Sequence, residues 1–123
     1  MVSLFKYPKR RLRSMIKNGQ YAEALDYGKT IESKFAEDHD YLFIMGSVHY
    51  ILEEPRRAIP YFDRAISLQH DDIEALMLKT NSHLALKDVE DAIACCMHIL
   101  KLDPEHRDAR SLLNDLQNHT RSS

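Results

Sequence analysis

Seven histidines and the adjacent pair Cys95-Cys96 are the side chains whose types could do metal or nucleophilic chemistry. Cys95 and His98 stand three apart and could face each other on a helix. Two ligands fall short of the three or four that zinc takes, so no metal is expected. Cys95 is expected near the surface, with no Lys or Arg close in sequence to lower its thiol pKa. Cys96 is expected to be a small buried hydrophobe. Neighbouring cysteines exclude a disulfide scaffold and suit a reducing compartment, which points to the cytoplasm. The chain carries no Ser/His/Asp arrangement, no Gly-rich phosphate loop and no paired-carboxylate motif. Three glycines leave few loops for a catalytic site, so neither an enzyme nor a cofactor is expected.

Charge is the second source of chemistry. Residues 1–17 carry Lys6, Lys9, Arg10, Arg11, Arg13 and Lys17 and no acid. The remaining 106 residues hold eleven cations against nineteen acids, a net of −8. The basic head is either a solvated helix face or a patch for an acidic partner. Phe5 and Tyr7 flank it, but the acidic remainder repels phosphate and no recognition motif appears, so nucleic acid is not expected. The Arg-rich start faintly resembles a mitochondrial transit segment, yet the same residues are needed as a helix of the fold. No window approaches about 20 apolar residues, so no membrane span is expected.

The elements that must position these residues follow from a repeat. Gly (3) and Pro (4) are scarce in 123 residues, which counts against an all-β fold, and the length suits one domain, 1–123. Residues 39–72 laid over 73–106 give six identities: Leu42/Leu76, His49/His83, Leu52/Leu86, Ala58/Ala92, Ile59/Ile93 and Leu68/Leu102. Each unit reads as two helices. Leu42, Met45, His49 and Leu52 share one face, Glu53-Glu54-Pro55 breaks the helix, and Ala58, Ile59, Phe62, Ala65 and Ile66 stripe the second. His49 and His83 fall on the packed face and are expected to act as buried or half-buried aromatic substitutes.

A weaker copy covers 5–38, with its turn at Asn18-Gly19-Gln20-Tyr21 and Ala24 in the place of Ala58. Residues 107–119 form one amphipathic segment, apolar through Leu112, Leu113 and Leu116, as a capping helix must be. Pro60 conflicts with a helix begun at Pro55, so that helix either starts late, near Arg57, or bends.

This pattern resembles the tetratricopeptide repeat, through Gly46, the Ala24/Ala58/Ala92 series, Tyr27/Tyr61, Phe62, Ala65 and Leu102-Asp103-Pro104. The resemblance implies an all-α, right-handed α–α superhelix of about seven antiparallel helices. It also implies a concave groove lined by the first helix of each repeat, and hence a protein-interaction module. On that geometry Lys9, Arg13 and Lys17 make a cationic end. Phe43, Tyr50 and Met77 are apolar anchors, and Ser47 and Asn81 can hydrogen-bond a bound peptide backbone. The expected partner is a protein segment with an acidic end and a bulky apolar residue, the alternative being self-assembly into a homo-oligomer. Some family members clamp a chaperone carboxylate tail. Here the corresponding places hold Lys9 and Arg13 but then Ile44, Glu74 and Leu78, and Glu74 repels a carboxylate, so that specificity is not expected.

Overall fold

The computed structural model describes residues 7–121, and every regular element among them is an α-helix. The helices are α1 (Pro8–Lys17), α2 (Tyr21–Thr30), α3 (Glu32–Phe35), α4 (His39–Ile51), α5 (Pro55–Leu68), α6 (Ile73–Ala85), α7 (Val89–Leu102) and α8 (Arg107–Arg121). Lys6 lies outside the described residues. Helices pair as α1 with α2, α4 with α5 and α6 with α7, while α5 leans on α6 and α8 covers α7. This is the α–α superhelix of a repeat protein.

Eight described helices stand where seven were expected. The additional one, α3, has a local cause. The Gly28 carbonyl accepts the Tyr41 hydroxyl at 2.8 Å and the Ile31 amide at 3.3 Å. A regular ladder would bring the Glu32 amide to that carbonyl. The chain instead tightens at Ile31 (φ −105°, ψ 3°) and restarts as one short turn.

Each turn inside a repeat is the same object. Gly19, Glu53 and Lys87 lie 34 residues apart and adopt left-handed φ values of 75°, 59° and 62°. The next amide (Gln20, Glu54, Asp88) donates back to the carbonyl of Met15, His49 or His83 at 2.8–2.9 Å, which satisfies a helix end. The helix starts repeat as well. Asp38 and Asp72 accept the Tyr41 and Ala75 amides at 3.0 Å, and Pro8 and Pro55 occupy first-turn positions. α5 begins at Pro55 and runs through Pro60 to Leu68, so a late start at Arg57 does not occur.

Packing explains the signature residues. Ala24, Ala58 and Ala92 are fully buried where helices cross. A Cβ at Gly46 would lie 2.8 Å from the Phe62 ring, so the glycine is what admits that ring. In repeat one, Gly28 replaces the large residue and the Met45 thioether fills the space it leaves. Cys96 is buried as expected. Cys95 is not near the surface: it is 6% exposed, in the place Tyr61 holds one repeat earlier. Nor is it without a cation, because α6 brings Lys79 and Thr80 beside it. Burial still dominates and pushes the Cys95 thiol above its ordinary pKa, against the pull of Lys79 and a hydrogen bond with Thr80. Burial pushes Cys96 up to about 11.

Candidate functional site

The first helices of the repeats form one wall, with α4 touching α1 on one side and α6 on the other. Two hollows lie along it. One, of about 510 Å³, sits where α4 and α6 end and is lined by Tyr50, Ile51, Glu53, Pro55, Asn81, Ser82 and Ala85. The other, of about 360 Å³, sits where α4 and α6 begin. Arg13, His39, Asp40, Phe43, Ile44, Gln69, Asp72 and Glu74 line it. The first mixes the apolar surface of Ile51, Pro55 and Ala85 with polar groups of Tyr50, Glu53, Asn81 and Ser82, and Ile51 within it is 45% exposed. The second is rich in charge.

The expected anchors divide between these places. Tyr50 and Asn81 meet in the larger hollow and Arg13 and Phe43 in the smaller one. Phe43 is committed inward as well, edge-on to the buried Phe62 ring at 6.2 Å. Ser47 donates its hydroxyl proton to the Phe43 carbonyl at 2.8 Å, within its own helix. Met77 packs against the Leu76, Ile99 and Ala109 cluster. Lys17 is exposed and lines neither hollow.

The cationic end is internally balanced. Lys9 Nζ lies 2.9 Å from Asp38 and 3.6 Å from Asp40, and Arg13 lies 3.4 Å from Asp40. The Asp38 carboxylate holds the Lys9 ammonium above its usual pKa. For Asp38, burial works against ionisation, but Lys9 and the Tyr41 amide hold its carboxyl below the usual range. Lys9 also sits 5.8 Å from the centre of the Phe35 ring, along a hollow of about 420 Å³ beside α1.

Three arrangements escape a reading of sequence alone. His39 Nε2 donates to the buried Asp72 carboxylate at 2.6 Å, tying the start of α4 to the cap of α6. His49 stacks on Tyr61 (5.6 Å between ring centres) and donates to Glu54 at 3.0 Å. The opposite face holds a hollow of about 440 Å³ lined by Lys29, Arg56, Arg57 and Arg64 with His49, Pro60 and Tyr61. Only the recurrence of His49 and His83 one period apart signalled any of these. The other contacts join residues far apart in the chain.

Among the described residues no helix is long and apolar enough to cross a membrane. No curated protein matches the sequence. Similar solved structures share its fold. The first tetratricopeptide domain of Spaghetti (RPAP3), bound to the HSP90 peptide SRMEEVD, superposes with a TM-score of 0.76 at 19% identity, covering 92% of each chain. The second such domain of human RPAP3, in complex with the HSP70 peptide SGPTIEEVD, gives 0.78 at 16% identity, over 89% of this chain and 92% of that one. YrrB, a tetratricopeptide protein with an unusual peptide-binding site, gives 0.79 at 24% identity, over 89% of this chain and 57% of that one. The family model for anaphase-promoting complex, cyclosome, subunit 3 matches residues 17–99, well over half of the chain. The protein is therefore a tetratricopeptide-repeat chain and belongs to the family described as anaphase-promoting complex, cyclosome, subunit 3.

Proposed function

We propose that this chain is a non-catalytic module, working in the cytoplasm, that holds a segment of another protein along the α1–α4–α6 wall. The observation that carries this reading is the 510 Å³ hollow, where Tyr50, Ile51, Pro55 and Ala85 offer apolar surface beside the Asn81 amide. It suits one bulky apolar side chain, with Asn81 bonding the adjacent backbone. An acidic end of the segment reaches Lys9 and Arg13 by displacing Asp40. That exchange is open because the Asp40 contacts (3.4 and 3.6 Å) are looser than the Lys9–Asp38 contact at 2.9 Å. Such exposed pairs contribute only about 0–1 kcal/mol. Acidic peptides bound by the RPAP3 domains support the reading. Their chaperone specificity is not carried over, because Glu74 stands in this wall at the smaller hollow.

The test is selection of a displayed peptide library on the immobilised chain, followed by kinetics on the winners. Winners should pair a bulky apolar residue with acids. Asn81→Ala and Tyr50→Ala should speed dissociation, while Asp40→Asn should speed association and steepen its fall with salt. No enrichment, or winners indifferent to all three substitutions, would sink the groove reading. A mass that doubles with concentration, measured by light scattering, would favour the self-assembling alternative.

A further inference from the structure

The turn between α6 and α7 carries a second constellation, away from the groove. His83 is 9% exposed, and its Nδ1 is a fully buried nitrogen with no hydrogen-bond partner. A buried polar atom left unpaired has lost its water and gained nothing in return, so it favours a ligand that can take its lone pair. Two carboxylates face it: Asp88 at 3.7 Å and Asp91 at 3.9 Å, each beyond hydrogen-bond distance. One ligand atom from each of the three residues lies within 4.8 Å of the others.

The repeat supplies its own control. One period earlier the same three places hold His49, Glu54 and Arg57. There the longer Glu54 side chain reaches His49 Nδ1 at 3.0 Å and satisfies it. Shortening Glu to Asp leaves Nδ1 of His83 unpaired, and exchanging Arg57 for Asp91 turns the third corner from cation to anion. In repeat one the places hold Met15, Gln20 and Glu23, with no imidazole. Among the described residues, the combination of a buried free imidazole nitrogen and two carboxylates therefore belongs to repeat three alone.

We propose that His83, Asp88 and Asp91 form a binding site for a divalent ion of the zinc type. Imidazole with carboxylates suits zinc rather than magnesium or calcium, which take oxygen ligands. Tetrahedral zinc at about 2.0–2.2 Å from each ligand sets the ligand atoms about 3.3–3.6 Å apart, so the carboxylates need only small rotations. Water takes the fourth position. The turn holds two of the ligands together, since the Asp88 amide donates to the His83 carbonyl at 2.9 Å. Lys79, one turn before His83, is engaged by Asp63 at 2.7 Å rather than by Asp91. The positive end of α7 weakens the site, and the two carboxylates outweigh it.

The experiment titrates the full chain with zinc alone by calorimetry in a non-coordinating buffer at neutral pH. Cobalt absorption spectra report the ligand geometry. One equivalent should bind and raise the melting temperature. Asp88→Asn and Asp91→Asn should each weaken binding at least 10-fold. Asp91→Arg, which installs the charge of repeat two, should abolish it, and His70→Gln should leave it unchanged. Asp91 is exposed, so its variants test the site even if His83→Gln unfolds the turn. No saturable binding would overturn the proposal. Wild-type affinity in both the Asp88→Asn and Asp91→Asn variants would overturn it equally.

Discussion

Two buried helical glycines make a paired test of how this core is packed. Gly46 in α4 and Gly28 in α2 both have ordinary negative φ, so Ala at either place should improve the helix by about 1 kcal/mol. The new Cβ meets different neighbours. At Gly46 it would lie 2.8, 2.9 and 3.2 Å from three atoms of the Phe62 ring, which is fully buried and wedged against Phe43. A ring in that position cannot rotate away, so overpacking should cost about 2–3 kcal/mol, toward the upper end of its usual span. The net expectation is a loss of roughly 1–2 kcal/mol. At Gly28 the Cβ would meet the Sδ and Cε of Met45, the far end of an unbranched side chain that can re-orient. There the gain and the cost should roughly cancel.

Urea unfolding and thermal melts followed by far-UV circular dichroism measure both. A gap of at least about 1 kcal/mol between the variants corresponds to roughly 4 °C in melting temperature for a chain of this size. If Gly46→Ala is as stable as Gly28→Ala, Phe62 is not held as described and the steric account of Gly46 fails.

Two further outcomes follow from the titrating groups. The depressed Asp38 carboxyl stabilises the fold while ionised, so the unfolded chain binds the extra proton and stability falls as pH drops through and below about 4. Asp38→Asn keeps a capping side chain but removes the charge. It should cost no more than about 1 kcal/mol at neutral pH and flatten that acid limb, and an unchanged acid slope would count against the Lys9–Asp38 account. With Cys96 pushed up to about 11 and Cys95 also raised, both thiols are protonated and buried at neutral pH. A thiol reagent should therefore label neither in the native chain and both in denaturant, and rapid native labelling would show the α6–α7 packing to be wrong.

The 34-residue period was legible because packing repeats itself. Ala24, Ala58 and Ala92 are the same steric solution three times, and small residues at a fixed spacing are visible in any reading. The turn was only partly legible. Gly19 advertises a left-handed residue, whereas Glu53 and Lys87 adopt the same φ with side chains that disfavour it. Contacts between repeats were not legible at all. Lys9 reaches Asp38 across 29 residues and His39 reaches Asp72 across 33, and no local pattern announces either. The same blindness placed Cys95 at the surface, because Lys79 and Thr80 approach it from another helix. It also hid α3, which depends on a hydroxyl from α4.

The joints between repeats bear directly on the groove. Positions 38, 72 and 106 are one period apart, and each caps a helix: Asp38 and Asp72 accept the Tyr41 and Ala75 amides, and His106 Nδ1 accepts the Ala109 amide at 3.1 Å. The two aspartates do a second task. Each also takes a side chain from the preceding first helix, Lys9 at one joint and His39 at the other. A basic count over residues 1–17 therefore overstates the free positive charge of the wall, because part of it is spent on stacking. Part of what remains open to a partner is the share held by Asp40, which caps nothing and is exposed. At the third joint the capping group is the His106 imidazole, whose Nδ1 accepts the Ala109 amide, so the cap itself offers no carboxylate to a charge arriving from α6. The wall thus passes from an ion-paired joint at α1–α4 to an imidazole cap at α8. The hollow at Tyr50 and Asn81 lies at the other ends of α4 and α6, so a segment anchored there runs back along α4 to reach its exchangeable contacts at Asp40.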